Sequence, residues 1–271
     1  MNDILLKGRG LTRRWGGLVA VNEVSLTLAR GEVHAVIGTN GAGKSTLINL
    51  LSGEIAPSGG TVELLGQDVT GWSQPRRARA GLGRSYQRNT IYPAFTVFEN
   101  CRLAAQARRQ QPWRWWQSAQ RCEASCSAAG DAAHRAGLDE VLNRPAGLLS
   151  HGQKRQLEIA MCLATGPQVL LLDEPLAGMG AEETERMLAL LADLKGLSGA
   201  PPPPTAAKAA SERPGAAPAG HAILLVEHDM DAVFRIADTI TVMVNGAVIA
   251  SGKPDFVRNS REVQAAYLGG D

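Results

Sequence analysis

Glu32–Gly53 reads EVHAVIGTNGAGKSTLINLLSG, and this stretch decides the fold. EVHAVIG is a short, continuously apolar run, the pattern of a strand buried on both faces. Gly38–Thr46, GTNGAGKST, fits G-x-x-x-x-G-K-[ST]. Gly38, Gly41 and Gly43 let the backbone curl until its N–H groups face an anion. Asn40 and Ala42 complete the curl, and Thr46 continues it into the helix. Lys44 supplies a positive charge to phosphate oxygens, and Ser45 offers a hydroxyl to Mg²⁺. Gly53 closes the helix. Strand, glycine loop and helix in that order are the context that separates a phosphate cradle from an accidental glycine-rich turn.

Working outward, VLLLDEP places Asp173 and Glu174 at the tip of a second apolar strand. Two adjacent carboxylates there are costly without a cation. Asp173 suits the shell of Mg²⁺, and Glu174 suits orientation and polarisation of an attacking water. HAILLVEHD reads as another buried strand, and TITVMVNGAVIASG as a hairpin turning on Asn245-Gly246. Residues 1–37 read mostly as strands, with turns at Gly16-Gly17 and Arg30-Gly31. TVFENCRLAAQARR opens a helix with a capping box from Thr96 to Glu99. Strands alternating with helices predict an α/β core with a parallel sheet, an N-terminal antiparallel β part and a helical insert. The expected division is a core of about 1–88 and 165–271 and a helical subdomain of about 89–164. Between 199 and 220, 17 of 22 residues are Ala, Pro or Gly, which predicts a disordered surface insertion.

At 271 residues the chain can bury a full core, and 44% hydrophobic with 20% charged residues is a globular balance. A net charge of +2 does not call for nucleic acid. The arginines at 76, 77, 79, 84 and 88 read as a solvated or partner-facing surface, so no nucleic-acid partner is expected. Cys101, Cys122, Cys126 and Cys162 form no C-x-x-C pair, so reduced thiols are expected. No signal peptide is read at the start, and no apolar run approaches the ~20 residues of a membrane helix.

LLSHGQKRQLEIA, Leu148–Ala160, is a second anion-friendly feature: a helix start capped by Ser150, with Gly152 leaving room for close approach. The order of phosphate loop, LSHGQ at 149–153, LLLDEP at 171–175 and VEHD with His228 resembles the ATPase subunits of ABC transporters. The resemblance implies a P-loop (RecA-like) ABC ATPase core and two subunits paired head to tail. ATP on the phosphate loop of one subunit is then capped by Ser150, Gly152 and Gln153 of the other. It further implies that Gln87 reaches Mg²⁺ and the attacking water, that His228 contacts the γ-phosphate, and that Trp15 stacks on adenine. Glu174, His228, Gln87 and Lys44 are thus the implied catalytic set, and Ser45, Gln87 and Asp173 the implied metal set. Gly180 stands where such subunits usually carry an Asp or Asn that contacts the partner.

A finer resemblance, carried by GRSYQRNTIYPAFTVFENCRLAA, LSHGQKRQLEIAMCLAT, EPLAGMG and the ending VQAAYLGG, points to uptake systems for branched-chain amino acids. It implies membrane permease subunits and a second ATPase subunit as partners, a periplasmic binding protein acting indirectly, and a cytoplasmic position at the inner face of the membrane. The alternatives are an ABC ATPase serving another substrate (an amide, another amino acid, lipid export) or a soluble ABC ATPase outside transport. A GTPase or nucleotide kinase would show N-K-x-D and would leave LSHGQ unexplained. RRQQPWRWWQ holds three tryptophans, Trp113, Trp115 and Trp116, which pack inside the insert or touch a permease or lipid.

Overall fold

The computed structural model describes residues 3–86, 91–108, 122–196 and 220–268. Gln87, Trp113, Trp115, Trp116 and all of 199–220 except Gly220 lie outside these residues. The chain divides into two compact units: one of Met1–Gln87, Gln168–Ala177 and His221–Asp271, the other of Arg88–Pro167 and Gly178–Gly220.

The first unit is built on two sheets. β1 (Ile4–Trp15), β2 (Leu18–Ala29), β4 (Gly59–Leu64) and β5 (Gln67–Asp68) form an antiparallel sheet in the order β2-β1-β4-β5. β3 (Val33–Gly38), β6 (Leu82–Arg84), β7 (Val169–Asp173), β8 (Ala222–Val226), β9 (Thr239–Val244) and β10 (Ala247–Gly252) form the other, ordered β10-β9-β3-β8-β7-β6. Its pairs are parallel except β9–β10. That hairpin turns on Asn245 (φ 48°) and Gly246 (φ 81°), the two left-handed residues that an Asn-Gly turn supplies.

Every residue of β3, β7 and β8 is buried, because helices or the small sheet cover both faces. Val36, Leu171 and Leu224 pack with Leu47, Ile48 and Leu51 of α1 (Lys44–Ser52) and with Leu6 and Leu28 of the small sheet. Ala35, Ile37, Ile240 and Val242 face the opposite way. They pack with Val233 of α7 (Met230–Ile236), Val257 of α8 (Pro254–Arg258) and Val263 of α9 (Arg261–Leu268). Each fully buried aliphatic side chain stabilises by about 1.5–3 kcal/mol, so the two-sided burial makes this sheet a rigid platform. α2 (Gln74–Arg79) sets the buried Arg77 against α1, where its guanidinium donates to the Leu50 and Leu51 carbonyls at 2.8 Å each. Those carbonyls lie in the last turn of α1, where the helix supplies few donors of its own; the Leu50 carbonyl also accepts from the Gly53 N–H at 3.3 Å.

Among the described residues the second unit contains α3 (Val97–Arg108), α4 (Glu123–Arg135), α5 (His151–Ala164) and α6 (Ala181–Lys195), with two 3-10 turns before α5. The capping box of α3 forms as the sequence predicts: Glu99 N–H donates to Thr96 Oγ1 at 3.1 Å, and Thr96 N–H to Glu99 Oε2 at 2.9 Å. Among the described residues no helix is long and apolar enough to cross a membrane.

Candidate functional site

Parallel strands bring their carboxyl ends to one edge of a sheet, where ligands of open α/β folds bind. β7, β8 and β3 are neighbours in the first unit. Asp173 is level with Val226, and Val226 with Val36. The segments leaving these three strands therefore emerge together: the glycine loop after β3, Asp173-Glu174 at β7, and Glu227-His228 after β8.

The loop is held by its surroundings. Gly41 and Gly43 adopt φ of 80° and 96°, a region that L side chains enter at a cost. A Cβ on Gly43 would strike the Ala20 carbonyl of β2, and one on Gly38 the Met243 carbonyl of β9. The Gly246 N–H of the β9–β10 turn donates to the Ala42 carbonyl at 3.1 Å. Ala42 is buried, while Asn40, Gly41 and Ser45 are exposed and Thr46 is half-buried. Lys44 is buried, and its Nζ donates to the Gly38 carbonyl at 2.7 Å and the Thr39 carbonyl at 3.1 Å. Burial pushes the ammonium below its ordinary value, and the carboxylates of Glu174 and Asp173 pull it back up.

Asp173 is 4% exposed. Its N–H donates to Ser85 Oγ at 3.2 Å, but its side-chain Oδ1 is buried with no hydrogen-bond partner. Burial pushes its carboxyl above the usual range and Glu174 adds to this, while Arg84, Lys44 and His228 oppose it. A buried, unsatisfied carboxylate oxygen is a costly group with a ready ligand in a hard cation. An oxygen donor of this kind is the chemistry that suits Mg²⁺, and on the glycine loop Ser45 is exposed. Among the described residues no group of three His, Cys, Asp or Glu side chains is placed to hold a metal ion.

Glu174 departs from the strand with φ 51°, a left-handed conformation that costs a non-glycine residue about 1–3 kcal/mol and persists only where its surroundings impose it. Its N–H is tied to the Val226 carbonyl at 2.9 Å. The turn brings Glu174 Oε1 to 2.5 Å from Nε2 of His228, 54 residues later. An ionised carboxylate can only accept, and Nε2 is the donor in that form of the pair.

Sequence reading missed Glu227. It is 3% exposed; its Oε1 accepts from Leu176 N–H at 2.7 Å and its Oε2 from His228 N–H at 3.1 Å. Burial pushes its carboxyl up, and the two N–H donors oppose that. The available signal was an acidic residue directly after the wholly apolar strand AILLV, where burial should have been expected. Ser85 was missed too, having no motif of its own. Trp15 ends β1 and is 42% exposed, with the Arg13 guanidinium 4.9 Å from its ring centroid.

In the second unit, Ser150 caps α5. Its Oγ accepts from Gln153 N–H at 3.2 Å, and its own N–H donates to Gln153 Oε1 at 3.1 Å, a complete capping box. Ser150 Oγ also donates to Glu183 Oε1 of α6 at 3.2 Å. Gly152 is buried, and a Cβ there would strike the Glu183 carboxylate. His151 is exposed, and Gly180 sits at the N-cap of α6, where it offers no side-chain cap.

Comparison with known proteins agrees with this geometry. The model of the family described as "ABC transporter" matches residues 21–177, and that of "Branched-chain amino acid ATP-binding cassette transporter" matches 247–271. The chain is 37% identical over 275 residues to the high-affinity branched-chain amino acid transport ATP-binding protein BraF of Pseudomonas aeruginosa, covering 99% of each chain. It is equally similar, over 275 residues and 99% of each, to the corresponding protein LivG of Escherichia coli K12. A nucleotide-free ATP-binding cassette from an ABC transporter superimposes with a TM-score of 0.80 at 25% identity, covering 97% of this chain and 98% of that one. The ADP conformation of an ATP-binding cassette of an ABC transporter superimposes with a TM-score of 0.80 at 26% identity, covering 98% of this chain and 99% of that one. The phosphate cradle, the carboxylates at the strand ends and this likeness over nearly the full length together establish that the chain belongs to the ABC transporter family, as one of its nucleotide-binding, ATP-hydrolysing subunits.

Proposed function

We propose that this subunit powers the uptake of branched-chain amino acids or closely related compounds, by hydrolysing MgATP between two ATPase subunits paired head to tail. Substrate class rests on the relatives named for branched-chain amino acid transport. The hydrolytic reading rests on one observation above all: Glu174 Oε1 and His228 Nε2 lie 2.5 Å apart beside the buried, unsatisfied Oδ1 of Asp173.

On this reading the loop amides and Lys44 hold the β- and γ-phosphates, and Trp15 takes the adenine. Asp173 and Ser45, with Gln87, would hold Mg²⁺, which supplies charge neutralisation on the phosphate oxygens. Glu174 accepts a hydrogen bond from the attacking water and takes its proton. The water oxygen bonds to the γ-phosphorus in line with the departing bridging oxygen, and ADP leaves with that oxygen. His228 keeps Glu174 oriented and stabilises charge on the γ-phosphoryl group. Ser150, Gly152 and Gln153 cap the nucleotide of the opposite subunit. Membrane permeases couple closure to transport at the inner face of the membrane, and a periplasmic binding protein delivers the substrate to them.

Glu174→Gln tests the reading. The amide is a poor proton acceptor, so hydrolysis should fall by about 10²–10⁴-fold while ATP is still bound. Rapid quench and nucleotide-binding assays measure the two separately. Turnover near wild type would remove Glu174 from the chemistry.

A further inference from the structure

Glu174 and His228 meet at 2.5 Å, yet they hang from different segments beyond the last ladder pair of β7 and β8, Asp173 with Val226. One backbone bond extends the pairing, from Glu174 N–H to the Val226 carbonyl. After it the segments are joined through the Glu227 side chain. One carboxylate oxygen accepts from Leu176 N–H at 2.7 Å, two residues beyond Glu174, and the other accepts from His228 N–H at 3.1 Å. Glu227 thus grips the chain on the far side of Glu174 and the backbone that carries the imidazole. We propose that Glu227 is a positioning residue for hydrolysis, whose buried carboxylate bridges the segments after β7 and β8 and so holds Glu174 and His228 in their productive geometry.

Both roles of Glu227 are those of an acceptor, and its two oxygens are used once each. No neutral side chain of that length presents two acceptors: glutamine turns a donor toward one of the two N–H groups. The carboxylate is also 3% exposed, and burial pushes its pKa upward. Misplacing a catalytic group by about 1 Å can slow chemistry by about 10²-fold, the scale on which such a bridge matters.

The inference rests on the hydrolytic reading of Glu174 and His228, and the experiment separates the two. Full-length wild type, Glu227→Gln, Glu227→Asp and Glu174→Gln are compared in the assembly in which the wild-type chain hydrolyses ATP. Glu227→Gln is expected to lower kcat by about 10- to 100-fold, with ATP affinity within about twofold and Tm within about 3 °C of wild type. Glu227→Asp keeps the charge but is one methylene too short to reach both N–H groups, so its kcat should fall between the two. Full activity in Glu227→Asp would overturn positioning in favour of charge alone. A kcat within about twofold of wild type in both variants, or a loss that appears only with an equivalent drop in Tm, would also overturn it. Should Glu174→Gln itself turn over normally, the reading of the site fails, whatever Glu227 does.

Discussion

Asp173 shows how a buried carboxyl group can be set against stability. Burial and the neighbouring Glu174 raise its carboxyl pKa in the folded chain. A raised acid pKa means that the fold favours the protonated form. The stabilisation is complete below the unfolded carboxylate value and is lost as pH rises through the raised one. At neutral pH the ionised group therefore opposes folding unless a cation meets Oδ1. Asp173→Asn is expected to leave Tm at pH 7 unchanged or higher, and to narrow the gap between Tm at pH 5 and at pH 7. Saturating MgATP should stabilise the wild type by about 3 kcal/mol at a hundredfold excess over Kd. The variant should lose the magnesium-dependent share of that gain. Thermal melts with ATP, with and without EDTA, measure both effects, and a variant stabilised by magnesium as strongly as wild type would remove Asp173 from the metal set.

Among the elements, α5 carries the clearest local logic. Its first turn has unpaired N–H groups, and the Ser150–Gln153 capping box satisfies two of them while Glu183 adds a carboxylate beside the positive end of the helix. Ser150→Ala removes the Oγ acceptor and is expected to cost about 1 kcal/mol, a fall of about 2–4 °C in Tm. Ser150→Thr keeps the cap and should melt near wild type. Calorimetry of the full chain measures the difference, and an Ala variant as stable as wild type would show the cap to be dispensable. The phosphate loop differs in kind. It is shaped from outside, by the Ala20 and Met243 carbonyls that leave no space for a side chain on Gly43 or Gly38.

For the whole molecule, the proposed head-to-tail pairing would make one nucleotide site draw on two chains. Where the chain pairs with itself, Lys44→Ala and Ser150→Arg damage different halves of the same site. A mixed dimer of the two variants then holds one site with both lesions and one with neither. Mixing two inactive preparations should restore up to about a quarter of wild-type activity: half of the dimers are mixed, and half of each mixed dimer's sites are intact. Turnover after subunit exchange measures this. No recovery despite demonstrated exchange would overturn the shared-site arrangement for a dimer of identical chains.

By itself the sequence determined what short-range chemistry decides. G-x-x-x-x-G-K-S after an apolar strand specified the cradle; Asn245-Gly246 specified the β9–β10 turn; Thr96 with Glu99, and Ser150 as a cap, specified two helix starts. In each case the interacting groups lie within a few residues, so the local pattern contains the whole interaction. Tertiary structure alone decided which distant segments meet. Parallel strands are joined by long crossovers, so neither the 2.5 Å approach of Glu174 to His228 nor the bridge of Glu227 from His228 to Leu176 follows from any local pattern. The Ser85 hydroxyl beneath Asp173, 88 positions away, came into place by the same lateral pairing of strands. Spacing along the chain places such residues at strand ends, but strand order decides which ends are neighbours.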